Sequence, residues 1–310
     1  MQDPLRYFDL TRFALIEITG SEAFAFLHRQ ITGDLNDINS CGWMFSAWCQ
    51  ANGRVICTFK VFRRNHSLFL ILPAGMKDSV IRRLKLFVLR ADVHIRDASD
   101  DHTLLGLYDV KCMATDIFGH GIRTGKMLET ETCCVLDLWG LTPRCLMVCK
   151  NDNLPMVVKN IQKACTKGDC FGWDLLDIEA GIPWITESTS EAFLPQMLNL
   201  DDLQGLSYQK GCYPGQEVIA RLRYRGELKR RLFLGTGQGA TVPVQGAILE
   251  RGDTGARTGD VINAASTPDG GFRLLAVADL NEASALMRLQ GAHQTIITLR
   301  ALQYPGQPAA

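Results

Sequence analysis

The sequence lacks an excess of charge of either sign, a long apolar run and any close cysteine pair of the metal-binding type. Its 310 residues contain 33 basic and 33 acidic side chains, which excludes a uniformly basic nucleic-acid coat. The longest apolar runs, such as residues 68–72, are far shorter than the roughly 18 residues that a membrane helix needs. The N-terminal segment has no cationic leader followed by an apolar stretch. We therefore expect a cytoplasmic protein that does not enter a membrane.

Eleven cysteines are present, but none forms a Cys-x-x-Cys pair. Zinc and iron–sulfur sites usually contain two such close pairs of ligands, so no stable metal site is predicted. Most cysteines of a cytoplasmic protein stay reduced, and we expect them to be small buried hydrophobic residues. The sequence also lacks a P-loop, a dinucleotide-binding glycine motif and the nucleophile motif of α/β-hydrolases.

The first hundred residues alternate short strands with amphipathic helices, an order typical of an α+β domain. Residues 42–63 are predicted to form a hairpin with Asn52-Gly53 as a type I′ turn, because both residues tolerate a positive φ. The other elements predicted here are strands at 13–18 and 68–72, a helix capped by Ser21 and a helix over 76–87.

The C-terminal part of the chain differs from what precedes it. Residues 228–302 are rich in glycine and in short β-branched runs, which is typical of a small antiparallel barrel. We therefore place a boundary near Gly226. Residues 1–226 form a region of two α+β subdomains that divide near residue 100, and residues 227–310 form the barrel. Before the boundary, strands are predicted at 104–108, 132–138 and 145–149, and helices at 154–164 and 171–180.

The segment KGCYPGQE at residues 210–217 is the most unusual part of the sequence. Pro214-Gly215 suits the central positions of a type II turn, and a helix can begin directly after it. Glu217 then lies in the first turn of that helix, where an anion complements the helix dipole. Arg221 is four residues further on and is its predicted ion-pair partner.

This arrangement places Cys212 just outside a helix N-terminus and two residues from the ammonium group of Lys210. Both neighbours favour a thiolate over a thiol. We therefore interpret Cys212 as a reactive cysteine that Lys210 assists. The alternative is that Cys212 packs in the core and has no chemical role.

Four motifs carry a resemblance to a known family: KGCYPGQEVIAR at 210–221, FLPQMLNL at 193–200, DIEAGIPWI at 177–185 and NGR at 52–54. With these motifs the chain resembles the YgfZ-type folate-binding proteins, which are paralogues of the T-protein, the aminomethyltransferase of the glycine cleavage system. The resemblance implies a T-protein-like clover of three parts. Two sheet-containing subdomains and a C-terminal antiparallel β-barrel would surround a central hole that holds tetrahydrofolate.

The resemblance further implies an accessory protein that supports assembly or repair of iron–sulfur proteins, including radical enzymes that thiomethylate tRNA. Its partners would be folate and those enzymes. Phe13 and Trp173 would line the pterin site, and Gln196 and Asn199 would offer polar contacts near the folate channel. Lys210 and the helix start at Gln216 and Glu217 would hold Cys212. The basic stretch through Arg221, Arg223 and Arg225 would attract the anionic glutamate tail of folate.

One departure from the T-protein bears on whether this chain is an enzyme. The T-protein has an acidic pair after its Asn-Gly turn that supplies the catalytic aspartate, and the corresponding residues here are Cys57 and Thr58. Aminomethyl transfer by the usual route is therefore not expected. A folate-dependent one-carbon transferase with a different acid is one alternative. An RNA-binding module is another, and it is less favoured because Tyr224 is the one exposed aromatic residue expected in the basic segment.

Overall fold

The computed structural model describes residues 6–108, 125–140, 142–168, 170–239, 241–282 and 285–304. Within these residues the strands are numbered along the chain. They are β1 Arg6–Asp9, β2 Phe13–Thr19, β3 Trp43–Cys49, β4 Val55–Arg64, β5 Ser67–Pro73, β6 His94–Asp97, β7 His102–Tyr108, β8 Met127–Glu129, β9 Cys133–Leu138, β10 Arg144–Lys150, β11 Thr166–Lys167, β12 Arg230–Gln238, β13 Ile248–Arg251, β14 Arg257–Ser266, β15 Gly271–Asp279, β16 Met287–Leu289 and β17 Ala292–Ala301.

The helices of the described residues are short. No helix among them is long and apolar enough to cross a membrane. The α-helices are α1 Ala23–Gln30, α2 Ile38–Cys41, α3 Lys77–Lys85, α4 Leu154–Ile161, α5 Cys170–Glu179 and α6 Gln216–Arg225. The 3-10 helices are Leu35–Asp37, Ala74–Met76, Asn151–Asn153, Pro195–Leu198 and Leu280–Glu282.

The chain divides into two compact units. The first consists of Met1–Arg29, Asp34–Phe45 and Phe59–Trp173, and the second of Gln30–Gly33, Ser46–Thr58 and Asp174–Ala310. This division follows compactness alone. The boundaries expected near residues 100 and 226 stay predictions.

A six-stranded sheet in the first unit has the strand order β11-β1-β7-β10-β9-β8. β1 pairs in parallel with β11, and the other neighbours are antiparallel. Helix α4 carries apolar residues three and four positions apart, so they form one stripe along the helix. Val157 and Ile161 of this stripe pack in one cluster with Leu107 and Met147 of the sheet.

A five-stranded sheet has the order β3-β4-β5-β2-β6. Its central strands are almost continuously apolar and buried, as expected for strands covered on both faces. The strands predicted at 13–18 and 68–72 are confirmed as β2 and β5. The hairpin predicted at 42–63 is confirmed as β3 and β4.

The turn of that hairpin is not the predicted type I′. Gly53 has a positive φ of 80°, but Asn52 does not. The Gly53 N–H donates to the Gln50 carbonyl at 2.9 Å, and the Gln50 N–H donates to the Arg54 carbonyl at 2.9 Å. These bonds form a longer loop that ends on one left-handed glycine. Asn52 contributes through its side chain, because its Oδ1 accepts the Arg54 N–H at 3.0 Å.

The C-terminal strands form a closed antiparallel barrel in the order β12-β15-β14-β13-β16-β17, which confirms the barrel predicted for 228–302. Its interior is apolar and includes Leu249, Phe272 and Ile297. Gly237 lies directly under Phe272, since a Cβ on Gly237 would be 2.3 Å from the Cζ of that ring. A glycine is therefore needed for this ring to fill the barrel.

Candidate functional site

The segment that precedes α6 is fixed to residues 31–33 within the second unit. The Ser207 N–H donates to the Thr32 carbonyl at 2.9 Å. The Thr32 hydroxyl donates to the Gly205 carbonyl at 2.7 Å. The Tyr213 hydroxyl in turn donates to the Ser207 carbonyl at 3.2 Å. These bonds hold the loop from both ends.

Lys210 is a buried anchor of this loop, with 7% of its surface exposed. Its Nζ donates to the carbonyl oxygens of Ile31 and Gly33, both at 2.8 Å. The same ammonium lies 5.3 Å from the centre of the Tyr213 ring. A buried charge is tolerated only with such partners. The structure therefore gives Lys210 a role in holding the loop.

Cys212 lies between the anchors Lys210 and Tyr213 and is exposed to solvent. Its sulfur makes no hydrogen bond to any residue that the structure describes. The expected pairing of this sulfur with the Lys210 ammonium is therefore not found. The core-packing alternative is also excluded, because the Cys212 side chain is exposed although Lys210 and Tyr213 of the same loop are buried.

The Pro214-Gly215 turn has the predicted type II geometry. Gly215 has φ 84° and ψ −1°, and the Gln216 N–H donates to the Tyr213 carbonyl at 3.2 Å. Helix α6 begins at Gln216, as predicted. The Gln216 side chain turns back and donates from Nε2 to the Lys210 carbonyl at 3.3 Å. Gln216 and Lys210 are thus brought together in the loop that carries the exposed Cys212.

The two glycine turns of the second unit touch each other through their main chains. A Cβ on Gly215 would lie 2.5 Å from the Cα of Gly53 and 2.6 Å from the Gln50 oxygen. A Cβ on Gly53 would lie 3.3 Å from side-chain atoms of Leu194 and Val218. The NGR and KGCYPGQE motifs are therefore parts of one packed junction.

The predicted ion pair between Glu217 and Arg221 is not formed in the described part of the chain. Both side chains are exposed on α6. Guanidinium groups that do bind acids lie in β12, where Arg230 contacts Asp260 and Arg231 contacts the carboxylates of Asp201 and Asp202. Water competes strongly for exposed pairs, which is why spacing on a helix does not fix them. Arg221 therefore stays exposed beside the loop.

The two predicted amides are both buried, and they differ in how their polar atoms are used. Gln196 donates from Nε2 to the Ile219 carbonyl of α6 at 2.8 Å. Its Oε1 is buried without a hydrogen-bond partner among the described residues. A buried acceptor without a partner is unfavourable in the free protein, so Gln196 is suited to accept a bond from a ligand.

Asn199, in contrast, has hydrogen-bond partners for both of its polar side-chain atoms. Its Nδ2 donates to the Leu232 carbonyl at 3.1 Å and to the Tyr304 hydroxyl at 3.3 Å. Its Oδ1 accepts from Arg231 Nε at 2.9 Å and from the Leu232 N–H at 3.2 Å. These four bonds use the whole capacity of the amide. These bonds give Asn199 a structural role in the second unit, and the folate contact expected there stays a prediction.

Phe13 lies in the first unit and lines a cavity of about 530 Å³. The Arg12 guanidinium is 4.7 Å from the ring centre, so one face of the ring is already stacked. The volume lies in the range of small-molecule sites. Its lining includes the apolar residues Leu10, Leu15 and Leu104 and the polar residues Asp9, Asp100 and Asn151.

Trp173, the other predicted aromatic contact, is fully buried in the first unit. A Cβ on Gly106 would lie 2.4 Å from the indole Cε3, and the Arg144 guanidinium is 5.3 Å from the ring. A pterin can stack on this ring only if one of these neighbours moves. The structure thus makes Trp173 a core residue rather than an open stacking platform.

Cys57 and Thr58 are both buried and carry no negative charge. The Thr58 hydroxyl donates to the Pro183 carbonyl at 2.8 Å and accepts the Ile185 N–H at 3.0 Å. Burial raises the pKa of the Cys57 thiol, which keeps it protonated. Neither residue replaces a catalytic carboxylate.

The second unit carries a group of stacked side chains that the sequence did not predict. Arg223 lies 4.3 Å from the ring centre of Tyr208, and Tyr208 meets Tyr224 edge to face at 6.4 Å. Arg223 and Tyr224 are adjacent on α6, and Tyr208 comes from the loop before Lys210. The folding of the loop, which no local pattern gives, brings Tyr208 to this group.

Comparisons with known proteins agree with this architecture. A family described as the GCVT N-terminal domain matches residues 2–108. The chain is 29% identical over 307 residues to the tRNA-modifying protein YgfZ of Yersinia enterocolitica, covering 97% of this chain and 93% of that protein. It is 33% identical over 273 residues to the tRNA-modifying protein YgfZ of Klebsiella pneumoniae, covering 86% and 83% respectively.

A solved structure of the glycine cleavage system aminomethyltransferase T from Bartonella henselae matches with a TM-score of 0.78. The match covers 96% of this chain and 86% of that one at 14% sequence identity, which establishes the fold alone. The predicted T-protein-like α+β fold with its C-terminal barrel is confirmed. By its identity to the two YgfZ proteins, this chain belongs to the YgfZ family.

Proposed function

We propose that this protein binds tetrahydrofolate and acts as an accessory factor in the assembly or repair of iron–sulfur proteins, including those that modify tRNA. Cys212 is the reactive thiol of this proposal. The observation that carries it is the exposure of Cys212 on a loop that buried anchors fix on both sides. An exposed thiol on a rigid loop is well placed to meet a large partner.

The cavity beside Phe13 supports folate as the ligand. It offers an aromatic ring, apolar walls and the carboxylate of Asp100 near its rim. A pterin ring is flat, largely apolar on its faces and carries N–H donors along one edge, which carboxylates accept. Bound tetrahydrofolate supplies a carrier for one-carbon groups.

The folate proposal is tested by calorimetric titration with tetrahydrofolate. Phe13→Leu keeps an apolar side chain but removes the ring. We expect roughly 2- to 10-fold weaker binding, equivalent to the 0.5–1.5 kcal/mol that aromatic pairing adds. Tyr224→Leu is the matched control, because it removes an exposed ring of the second unit. Absence of saturable binding to the unaltered protein would refute the folate proposal, and equal binding by Phe13→Leu would refute this cavity as its site.

The role of Cys212 is tested with an iron–sulfur radical enzyme that thiomethylates tRNA. The purified client is damaged by air and incubated with this protein and tetrahydrofolate, and cluster absorbance and thiomethylation are followed. We expect Cys212→Ser to abolish recovery while leaving folate affinity unchanged. Cys41→Ser alters a half-exposed thiol of the first unit and should behave as the unaltered protein. Full recovery with Cys212→Ser would remove the thiol from the mechanism.

The transferase alternative gains no support at the expected position. A transferase needs a carboxylate or an equivalent base there. Thr58 has its hydroxyl engaged by two main-chain groups, and Cys57 is kept neutral. We therefore place the accessory role ahead of catalysis.

Direct RNA binding gains one specific observation, the group of Tyr208, Arg223 and Tyr224. Two aromatic rings beside a guanidinium resemble the stacking surfaces that hold unpaired bases. Arg221 and Arg225 are exposed on the same helix. This surface is a second candidate function, namely a contact with tRNA.

The RNA candidate is tested by filter binding of unmodified tRNA over a series of salt concentrations. Tyr224→Leu should weaken binding several-fold at every salt concentration, because base stacking is lost. Arg223→Gln should weaken binding and also lower the salt slope, because a phosphate contact is lost. Phe13→Leu is the control and should bind tRNA normally. If neither helix variant changes the affinity, this surface does not contact RNA.

A further inference from the structure

Two buried cysteines of the first unit face each other across neighbouring strands. Cys133 of β9 and Cys149 of β10 are directly opposite in the antiparallel register. The Cys133 carbonyl accepts the Thr130 N–H at 2.9 Å, and the Cys133 N–H donates to Thr130 Oγ1 at 3.1 Å. Both main-chain groups of Cys133 therefore point away from β10. The two cysteines form a pair without mutual main-chain bonds, in which the Cα atoms are typically about 4.5 Å apart.

This geometry meets the requirement for a disulfide. Disulfides span Cα distances of roughly 4.4–6.8 Å. Both side chains lie on the same face of the sheet, since both belong to the cluster that packs against α4. No backbone movement is needed to bring the sulfurs together.

The surroundings of the two sulfurs are unequal. Cys133 Sγ lies 3.3 Å from Thr130 Oγ1 and 3.8 Å from Thr132 Oγ1. A hydrogen bond from Cys149, these hydroxyls and the nearby Arg64 guanidinium lower the pKa of Cys133, against the effect of burial. The same hydrogen bond, together with burial, raises the pKa of Cys149. These opposite shifts in pKa favour Cys133 over Cys149 as the attacking sulfur.

Neighbouring cysteines lack this arrangement. Cys134 is opposite Val148, and Cys145 is opposite Asp137. Burial raises the pKa of Cys134 to about 12. Within the described residues no group of three or more potential ligands could hold a metal ion, so the pair is not part of such a site. Cys134 serves as an internal control for reactivity.

We propose that Cys133 and Cys149 are a redox modification site that closes to a cross-strand disulfide on exposure to peroxide. Cys133 is the first residue of β9 and follows the exposed Glu131 and the half-buried Thr132, so the pair lies at the end of the strand where the chain reaches the surface. Cys133 itself is only 1% exposed. The site therefore favours a small oxidant such as hydrogen peroxide over a bulky disulfide.

The reaction has two steps. The Cys133 thiolate attacks one oxygen of hydrogen peroxide, the O–O bond breaks, and the hydroxide released takes a proton from solvent to become water. The Cys149 sulfur then attacks the sulfenic sulfur while its proton passes to the sulfenic hydroxyl, so that the S–S bond forms and the S–O bond breaks. The thiol proton leaves with the hydroxyl as a second water. Two thiols lose two electrons, and one peroxide gains them.

The test uses the full chain, treated with a small excess of hydrogen peroxide, alkylated in denaturant and mapped by mass spectrometry without reduction. We expect a peptide pair linked through Cys133 and Cys149 that dithiothreitol separates. Cys133 should be oxidised at least about tenfold faster than Cys134, because the thiolate is the reacting species. The experiment is done in the Cys212→Ala protein, which lacks the exposed thiol, so that thiol–disulfide exchange between molecules does not produce other linked peptides.

Cys149→Ala should abolish the linked peptide and leave Cys133 as sulfenic acid, which dimedone traps. Cys134→Ala is the matched variant on the other face and should still form the link. If Cys149→Ala does not fold, the map of the Cys212→Ala protein decides alone. Recovery of Cys133 and Cys149 as alkylated thiols, after peroxide has oxidised other cysteines, would overturn the proposal.

Discussion

Replacement of Gly215 by alanine tests the junction between the two glycine turns. Gly215 has a positive φ of 84°, which alanine adopts only at a cost. The added methyl group would lie 2.5 Å from Gly53 Cα and 2.6 Å from the Gln50 oxygen. Both contacts are with main-chain atoms, so no side-chain rotation relieves them.

The expected loss of stability in Gly215→Ala combines two penalties. A non-glycine residue held in the left-handed region costs roughly 1–3 kcal/mol, and overpacking of a tight site costs roughly a further 1–3 kcal/mol. Together they amount to roughly 2–6 kcal/mol, and the central value of about 4 kcal/mol corresponds to a fall of roughly 8–16 °C in the melting temperature of a domain of 150–250 residues. Loop movement that relieves the clash would appear as the lower end of this range.

Gly211→Ala is the matched control because it lies in the same loop. A Cβ on Gly211 meets no atom within 4 Å, and its φ is not in the left-handed region. We expect a change within about 0.5 kcal/mol for this variant. Thermal unfolding followed by circular dichroism compares the two proteins. Equal melting temperatures for Gly211→Ala and Gly215→Ala would refute the close main-chain contact.

Four further outcomes are expected. Asn199→Ala should lower the free energy of unfolding by roughly 3–5 kcal/mol, because four hydrogen bonds are lost and alanine is placed in a left-handed conformation. Asn199→Gly should recover about 1 kcal/mol of this loss, because glycine adopts a positive φ freely. Equal losses in the two variants would contradict the strain assigned to the φ of 54° at Asn199. Lys210→Met should destabilise by about 1–3 kcal/mol, whereas Cys212→Ala should change stability by less than about 0.5 kcal/mol in the same denaturant titrations. Iodoacetamide should modify Cys212 in the native protein and the buried cysteines only after unfolding, as peptide mapping would reveal. Burial lowers the pKa of His102 from its usual 6.5. The stabilising contribution of the neutral ring is therefore complete above pH 6.5 and is lost as the pH falls through the pKa of His102 in the folded protein. His102→Asn should flatten this part of the plot of unfolding free energy against pH, and an unchanged slope would contradict the prediction.

Features that depend on local sequence were the easiest to predict. Alternating and 3.6-residue patterns located β2, β5 and α3, and Pro214-Gly215 fixed both the turn type and the start of α6. These signals depend on backbone preferences of a few adjacent residues. β1 and β6 were not predicted, because four-residue strands of mixed polarity have too short a pattern to detect.

The direction of a side chain in the candidate site could not be predicted in the same way. Lys210 is two residues from Cys212 in sequence, but its ammonium binds carbonyls of residues 31 and 33. Asn199 similarly reaches the barrel strand β12 and Tyr304. Such partners are far away along the chain, so only the folded chain reveals that these polar residues are structural.

The contact between Gly53 and Gly215 also constrains how the family can diverge. A crowded side chain can be trimmed by a smaller residue opposite it, but neither partner here has a side chain to trim. Compensation at this point would have to come from a change in the length or path of a whole loop. Two short stretches of sequence, more than 150 positions apart, are thereby expected to be inherited as one unit.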